Sequence, residues 1–540
     1  MHVCCVYIRT YLISETDKYK IRGDKIPLGI SYISSSLKQA GYTTEMIYCT
    51  TFTFNDGITK YIKHNPQVFA ISITAQEDVF LLIKFIEQIK REYNNAKIIV
   101  GGPIVTIDTE NIFNNVQQTD AICIGAGEKA IAEYVKQVEK GKYQKTDNLW
   151  IKDNNGHIIK CDRVLSIENL DELPYPDREG WNRWIIPTKN YAISINRGCI
   201  YNCTFCNNNI LKSKSNNRYF QERSAENILT EIDFIVKEYS AKNIMLVGES
   251  AITNVDKFRR LCLALKNYNN GLIDKIQFEI NINFTPNLLN EDLDIIYLMK
   301  EANFKLLRFS LESGSYEIRK LLGKPNYQNK EIIEFFNILH KLNFNTLCWV
   351  IYCHPFETRK TYYETLNCLR QCKPTRIIYQ ILSPLKETQL YKKIIEEHKD
   401  KKFSIIDKYR FYTLKFRVYN SYKPRMVMLN IFLSRYKLFI ILKKLILKYK
   451  QKNKFKIIQK SKKCFYNKKY KKAIKYFNKI SIDKTNYWIY GDRGIAKMTI
   501  GDYKGAIKDF DKILELEPKE IYREKREECL NLLNILDKTK

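Results

Sequence analysis

The sequence predicts an α/β protein in three parts: an N-terminal doubly wound parallel sheet, a central partial (β/α)6 barrel and an all-α C-terminal module. Three observations support this prediction. Residues 1–143 alternate short apolar strands with amphipathic helices, residues 189–395 repeat a strand and a helix six times, and residues 462–540 contain two helical repeats with a period of 33 residues. Alternation of strands and helices indicates parallel sheets, because a crossover between parallel strands usually contains a helix.

The N-terminal part contains five predicted strands, whose carboxyl ends carry small and polar residues. The strands are Val3–Ile8, Thr44–Ile47, Val68–Ile73, Lys97–Val100 and Ala121–Ile124. Helical periodicity predicts helices at Leu28–Ala40 and Asp78–Tyr93. Ligands of doubly wound sheets bind at the carboxyl ends of the strands, where glycine allows close approach of the backbone. The candidate binding residues at these ends are Ser72, Thr74, Gly101, Gly102, Gly125 and Gly127.

Residues 144–188 are predicted to connect the first sheet to the barrel. The stretch NLWIKDNNGHIIKCDRV predicts a hairpin that turns at Asn155 and Gly156, a pair typical of a type I′ turn. Pro174 and Pro176 follow and interrupt regular structure, which indicates a linker.

The central part contains six predicted strands separated by helical patterns. They are Tyr191–Asn196, Asn243–Val247, Ile276–Ile282, Leu306–Leu311, Thr346–Tyr352 and Arg376–Ile381. Helices are predicted between them, for example at Ala225–Tyr239 and Leu293–Ala302. Barrels of this kind place their active site at the carboxyl ends of the strands.

Cys199, Cys203 and Cys206 form a C-x3-C-x2-C pattern directly after the first barrel strand. Three thiolates in one loop can bind an iron–sulfur cluster, and a cubane held by three cysteines leaves one iron open to a substrate or cosubstrate. The alternatives are a zinc site or three unrelated thiols. Zinc would require a fourth Cys or His nearby, and the closest downstream histidine, His340, lies more than a hundred residues away.

Together these segments resemble a radical S-adenosylmethionine (SAM) enzyme preceded by a cobalamin-binding domain. RGCIYNCTFCNN resembles the cluster loop of that family, which has an aromatic residue, here Phe205, before its last cysteine. Four N-terminal segments resemble the cobalamin-binding domain in the same order: IPLGISYISSSLKQAGY, NPQVFAISIT, IIVGGP and AICIGAGEKAIAEYV. The resemblance implies a 4Fe–4S cluster on the three cysteines, SAM on its open iron, cobalamin at the strand ends named above, and an external electron donor. In this family the cluster cleaves SAM to a 5′-deoxyadenosyl radical.

The resemblance also implies contacts to SAM from two other barrel loops. Glu249 and Ser250 follow the second strand, where relatives often carry an acidic motif for the amino group of SAM. Glu312 and Ser313 lie in FSLESGS and match the family's glutamate–serine–glycine segment. With Phe205, these four residues complete the predicted cofactor site, and no catalytic residue is predicted.

Two features depart from the family pattern. The D-x-H-x-x-G motif that supplies a histidine to cobalt in many cobalamin proteins is absent, so we expect cobalt to lack a histidine ligand. The usual G-x-P-G-E-T segment is Cys353-His354-Pro355-Phe356-Glu357-Thr358, in which both glycines are replaced. Cys353 and His354 could take part in chemistry, although such residues more often line a pocket.

The resemblance implies methylation of an unactivated carbon in a small-molecule or lipid-like substrate. Two alternatives stay open: cyclisation or rearrangement without methyl transfer, and a non-catalytic scaffold that acts through the C-terminal repeats. Fold alone does not decide among them.

The C-terminal third contains a basic region followed by repeats. Residues 396–461 include a predicted amphipathic helix between 424 and 450, which we expect to cover the open edge of the barrel rather than lie on a membrane surface. In residues 462–540, Tyr470, Ala473 and Phe477 recur as Tyr503, Ala506 and Phe510. This spacing resembles the tetratricopeptide repeat and implies a protein partner.

Composition restricts the class of protein further. The net charge is +31, but lysines are dispersed among Ile, Tyr, Phe and Asn, so a solvated surface is favoured over a nucleic-acid site. The 15 cysteines are scattered, the N terminus lacks signal-peptide features, and no run of 18 uncharged apolar residues occurs. We therefore expect a cytoplasmic protein.

Overall fold

The computed structural model describes residues 1–10, 19–164, 166, 169–186, 188–215, 220–352, 356–382, 385–397, 457–480 and 487–538. The chain divides into two compact units, Met1–Asn420 and Ser421–Lys540. The predicted amphipathic helix between 424 and 450, and the segment Cys353–Pro355, lie outside the described residues.

A seven-stranded sheet forms the N-terminal domain in the strand order β2-β1-β3-β4-β5-β6-β7. Its strands are β1 (His2–Ile8), β2 (Thr43–Cys49), β3 (Val68–Ile73), β4 (Lys97–Gly101), β5 (Ala121–Cys123), β6 (Leu149–Lys152) and β7 (Ile158–Lys160). The first five are parallel, which confirms the predicted parallel sheet. The predicted hairpin, β6 and β7, extends this sheet as antiparallel edge strands.

The described residues of this domain form the helices α1 (Leu28–Gln39), α2 (Thr51–Asn55), α3 (Asp78–Glu92), α4 (Pro103–Ile107), α5 (Thr109–Asn115) and α6 (Glu128–Lys140). Strands β1, β3 and β4 are apolar runs buried almost throughout, as expected for parallel strands covered on both faces. The parallel strands have the spatial order 2-1-3-4-5, so the direction of the strand order reverses between β1 and β3. Ligands of doubly wound sheets bind at the carboxyl ends of the strands where this reversal occurs.

The barrel is a six-stranded parallel sheet in sequential order. Its strands are β8 (Asn190–Ser194), β9 (Asn243–Val247), β10 (Gln277–Ile282), β11 (Phe304–Glu312), β12 (Asn345–Tyr352) and β13 (Arg376–Ile381). Its helices are α7 (Asn208–Lys214), α8 (Ala225–Tyr239), α9 (Val255–Asn270), α10 (Asn287–Asn290), α11 (Leu293–Glu301), α12 (Tyr316–Leu321), α13 (Asn329–Lys341), α14 (Arg359–Cys372) and α15 (Gln389–Glu397). The six parallel strands confirm the predicted partial barrel.

The predicted linker makes firm contacts with both domains. On the N-terminal side, Asp177 forms an ion pair with Lys38 at 2.9 Å, and the indole of Trp181 donates to the hydroxyl of Ser31 at 2.8 Å. On the barrel side, Arg178 forms an ion pair with the fully buried Glu231 at 2.8 Å. The linker thus sets the position of the barrel against the N-terminal sheet.

Helix α7 also joins the two domains. Ile210 and Leu211 belong to the hydrophobic core of the N-terminal domain, although α7 follows the cysteine loop in the barrel. Lys214, at the end of α7, donates to the backbone carbonyl of Thr106 in α4 at 2.6 Å.

The second unit is helical in its described part. A helix at residues 457–466 precedes α16 (Tyr470–Phe477), α17 (Ile489–Thr499), α18 (Tyr503–Leu516) and α19 (Glu520–Lys538). Helices α17 and α18 pack closely at Gly494 and Phe510. A Cβ at position 494 would lie only 2.8 Å from the ring of Phe510, so this contact requires glycine. At the start of this part, Ile457 and Ile458 pack against the core around Ala473 and Phe477.

The described helices include none that is both long and apolar enough to cross a membrane.

Candidate active site between the two sheets

A cavity of about 450 Å³ is lined by the carboxyl ends of both sheets. It contains all six binding residues predicted in the N-terminal domain, namely Ser72, Thr74, Gly101, Gly102, Gly125 and Gly127. From the barrel it contains the predicted Glu249, together with Ser194, Asn196, Arg197 and Val247. No histidine occurs among the described residues that line it. The structure therefore brings the two predicted binding regions to one place.

Gly102, at the end of β4, lies close to the backbone of β3 beside the cavity. Its φ of +110° is unfavourable for other residues, and a Cβ there would lie 2.2 Å from the carbonyl oxygen of Ile73. The end of β4 can therefore lie against the end of β3 only with glycine at this position. Nearby, the amide of Gly125 donates to the hydroxyl of Thr106 at 2.9 Å, which holds the next strand end beside α4.

The cysteine loop is held by backbone contacts from the far side of the barrel. The amide of Thr204 donates to the carbonyl of Leu322 at 3.0 Å, and the amide of Leu390 donates to the carbonyl of Thr204 at 2.9 Å. Gly323 has φ +67°, and a Cβ there would lie 2.8 Å from the carbonyl oxygen of Asn202. The loop is thus fixed between the ends of α12 and the start of α15.

The three thiols of this loop lie within electrostatic reach of one another. Burial raises the pKa of Cys203 to about 11, although the ammonium of Lys324 opposes this rise. Burial likewise raises the pKa of Cys199 and of Cys206. The thiols are therefore protonated at neutral pH, and a bound metal would have to displace their protons.

Within the described ranges, no three Cys, His, Asp or Glu side chains converge on a position that could hold one metal ion. In a cubane each thiolate binds a different iron, so cluster ligands do not need to converge on one point.

Glu312 stands beside the cysteine loop through its ion pair with Lys324. The two side chains are buried and lie 3.3 Å apart. Glu312 has φ +59°, and the register of β11 against β12 shifts between Ser310 and Glu312. Positive φ is strained for glutamate, and such strain concentrates at functional sites. Burial raises the pKa of Glu312, and Lys324 opposes that rise.

Glu249 is positioned by Asn196, which lies just before the cysteine loop. The side-chain oxygen of Asn196 accepts from the amide of Glu249 at 3.1 Å, and its nitrogen donates to the carbonyl of Ser250 at 2.6 Å. Burial raises the pKa of Glu249, and Arg197 lowers it. This carboxylate thus faces the cavity from the barrel side.

Three predicted contact residues have their side chains engaged within the protein. Phe205 packs against the apolar cluster of Ile318, Leu322, Ile351, Leu382, Leu390 and Ile394. The hydroxyl of Ser313 bonds to that of Thr365 at 2.9 Å and accepts from the amide of Ser315 at 3.1 Å. The hydroxyl of Ser250 bonds to that of Thr253 at 2.8 Å. None of the three lines the cavity.

The sequence analysis missed Lys324 and the 2.6 Å ion pair between Arg197 and Glu128, two residues that line the cavity. Local signals existed for each residue. Lys324 follows a loop glycine, Arg197 precedes the cysteine loop, and Glu128 follows the predicted strand end at Gly127. None of these signals identifies the partner.

Two family models match the chain, one in each domain of the first unit. The B12 binding domain model matches residues 18–135, and the Radical SAM superfamily model matches residues 193–369. An uncharacterized methyltransferase of Pyrococcus horikoshii is 26% identical over 383 residues, which cover 68% of this chain and 77% of that protein. An anaerobic magnesium-protoporphyrin IX monomethyl ester cyclase of Cereibacter sphaeroides is 22% identical over 399 residues, covering 70% and 62%.

Solved structures show the same fold. The radical SAM methyltransferase TsrM of Kitasatospora setae, with cobalamin and a [4Fe-4S] cluster bound, matches with a TM-score of 0.59 at 13% identity, covering 75% of this chain and 79% of that one. The cobalamin-dependent SAM radical enzyme OxsB, with aqua-cobalamin and SAM bound, matches with a TM-score of 0.60 at 17% identity, covering 75% and 62%. The chain thus joins a B12-binding domain to a radical SAM domain, and it is a cobalamin-dependent radical SAM enzyme whose cofactors are a 4Fe–4S cluster, SAM and cobalamin.

Proposed function

We propose that the protein is a methyltransferase that methylates an unactivated carbon of a small-molecule or lipid-like substrate. One observation carries this proposal: the glycine-rich ends of the first sheet and the barrel strand ends beside the cysteine loop line the same cavity. A methyl donor and a radical generator would need this proximity. When bound, the cluster with SAM supplies a radical at the substrate carbon, and cobalamin supplies the methyl group.

The residues present suit these cofactors. Cys199, Cys203 and Cys206 are soft thiolate donors in one anchored loop, the ligand type that iron–sulfur clusters require. Glu249 and Glu312 offer carboxylates to the cationic amino group of SAM, and Lys324 holds Glu312 in place. Cobalamin would be held by the strand-end residues Ser72, Thr74, Gly101, Gly102, Gly125 and Gly127. Among them, Gly102 allows the ends of two neighbouring strands to lie close together. Phe205, Ser250 and Ser313 stay proposed as contacts to SAM on the barrel side.

Methyl transfer is tested with SAM whose methyl group is deuterated. The anaerobic, cofactor-loaded protein would be incubated with a reductant and a small-molecule extract, and products would be resolved by mass spectrometry. We expect a product that carries the label and that is absent when Cys206 is replaced by alanine. Formation of 5′-deoxyadenosine with an unlabelled, altered product would favour cyclisation or rearrangement, the reaction type of the cyclase relative. No SAM cleavage at all would favour a scaffold.

The C-terminal helices support a separate proposal, that they are tetratricopeptide-type repeats which bind a protein partner. Helices α17 and α18 contact each other through Gly494, Ala506 and Phe510, and small residues at such contacts are typical of the repeat. Asp509 is buried between them and forms ion pairs with Arg493 at 2.6 Å and Lys497 at 2.9 Å.

A chain that ends at Asn420 is expected to cleave SAM at a rate close to that of the full chain. Each of the two units has its own hydrophobic core, and all proposed cofactor ligands precede this boundary. A cut near Lys460 is a poor choice, because it would divide the helix at residues 457–466. Release of 5′-deoxyadenosine under reducing conditions measures the rate. A folded, cofactor-loaded truncated chain without this activity would show that the helices belong to the catalytic unit.

A further inference from the structure

We propose that Glu128 binds cobalamin directly by accepting a hydrogen bond from a corrin side-chain amide, and that Arg197 positions its carboxylate for this contact. This inference rests on the proposed function, because it assumes that cobalamin occupies the cavity. It assigns a specific polar contact to Glu128, which was not among the predicted binding residues.

The carboxylate of Glu128 has one oxygen in use and one free. Glu128 is the first residue of α6, lines the cavity and is only 4% exposed. Its Oε1 lies 2.6 Å from Nη2 of Arg197. Its Oε2 is buried and has no hydrogen-bond partner among the described residues. A buried acceptor without a partner is costly, so such an atom at a cavity wall indicates a ligand that donates to it.

The chemistry of this acceptor selects the kind of ligand group. Because Arg197 neutralises the carboxylate through Oε1, the free Oε2 suits a neutral N–H donor rather than a second cation. The periphery of the corrin ring carries several primary amides, which are donors of this kind. At the same strand end Gly127 packs against Ile33 and Cys123, and both Gly125 and Gly127 line the cavity.

Arg197 is held rigidly enough to orient Glu128. Its backbone pairs with Gln221 in a short antiparallel ladder, and its guanidinium lies 4.9 Å from the ring centre of Tyr32. Its side chain is about one-quarter exposed, and it lies beside the buried carboxylate of Glu128. Arg197 also lies two residues before Cys199, so the carboxylate is tied to the start of the cysteine loop.

The variant Glu128→Gln tests the contact without a change of shape. Its amide oxygen should turn to Arg197, which leaves the amide nitrogen, a donor, at the position of Oε2. A donor then meets a donor, and we expect the Kd for hydroxocobalamin to rise at least about tenfold in equilibrium dialysis with the cluster-loaded protein. Iron content and the thermal midpoint should match those of the wild type. The matched control is Glu133→Gln in the same helix, where the side chain is one-third exposed and pairs with Lys136, and its Kd should not change.

A change in the ligand gives an independent test that does not depend on how the variant folds. Cobalamins in which one side-chain amide is hydrolysed to a carboxylate would be titrated into both proteins. For the amide that contacts Glu128, the wild type should lose affinity by charge repulsion, and Glu128→Gln should not share this loss. Equal losses in both proteins for every amide, or an unchanged Kd in Glu128→Gln, would overturn the role of Glu128 alone. A wild type that binds no cobalamin would overturn the proposed function as well.

Discussion

Replacement of Cys203 by alanine is expected to remove the iron–sulfur cluster and abolish reductive cleavage of SAM. Cys203 is the central cysteine of the loop, and its thiol interacts electrostatically with those of Cys199 and Cys206. Two remaining thiolates cannot hold a cubane that needs three protein ligands. Iron and sulfide content, the axial electron paramagnetic resonance signal after reduction, and release of 5′-deoxyadenosine measure the loss.

The matched control is Cys161→Ala. Cys161 is also partly buried but lies outside the cysteine loop, at the edge of the N-terminal core. This variant should keep its cluster, its resonance signal and its SAM cleavage. A Cys203→Ala protein with an intact, active cluster would show that the ligands lie elsewhere in the chain.

Replacement of Glu231 by alanine is expected to lower the free energy of unfolding of the first unit by about 3–5 kcal/mol. Glu231 is fully buried in α8 and accepts from two buried arginines, Arg178 at 2.8 Å and Arg223 at 2.5 Å. Alanine would leave both guanidinium groups buried without their counter-charge. The same arginines also donate to the backbone carbonyls of Ala192 and Ser194 in β8, so the strand before the cysteine loop would lose support.

Urea unfolding followed by tryptophan fluorescence measures this effect, since Trp181 and Trp184 are buried in the linker beside Arg178. Glu238→Ala, at an exposed position of the same helix, is the control and should change stability by no more than about 0.5 kcal/mol. Equal urea midpoints for the two variants would mean that the buried triad does not stabilise the fold.

Motifs that are local in sequence could be predicted, whereas contacts between distant segments could not. The cysteine triplet and the glycines at strand ends lie within short stretches, and strand–helix alternation places those ends on one edge of a sheet. Glu128 and Arg197 lie in different domains, and they meet because the linker and α7 pack against both domains. Lys324 reaches the cysteine loop because Gly323 allows a close approach of two backbones.

The sequence also could not show which hydroxyls are already engaged. Ser250 and Ser313 follow the family pattern, yet each bonds to a threonine on a neighbouring turn or helix. The linker illustrates the same limit, because two prolines predict an interruption of regular structure but not the ion pairs of Asp177 and Arg178. Side-chain partners of this kind depend on tertiary packing.

The sharing of α7 between the two domains has a consequence for how the chain assembles. Ile210 and Leu211 complete a hydrophobic core whose other members precede them in sequence, so the N-terminal domain is synthesised before the helix that closes it. Domains generally fold in the order in which they are made. A nascent α7 therefore meets a formed apolar surface as soon as it emerges, whereas the cysteine loop just before it gains its backbone contacts to Leu322 and Leu390 only after α12 and α15 are made. Because the N-terminal domain comes first in the chain, its hydrophobic core is ready to receive Ile210 and Leu211 when α7 is made.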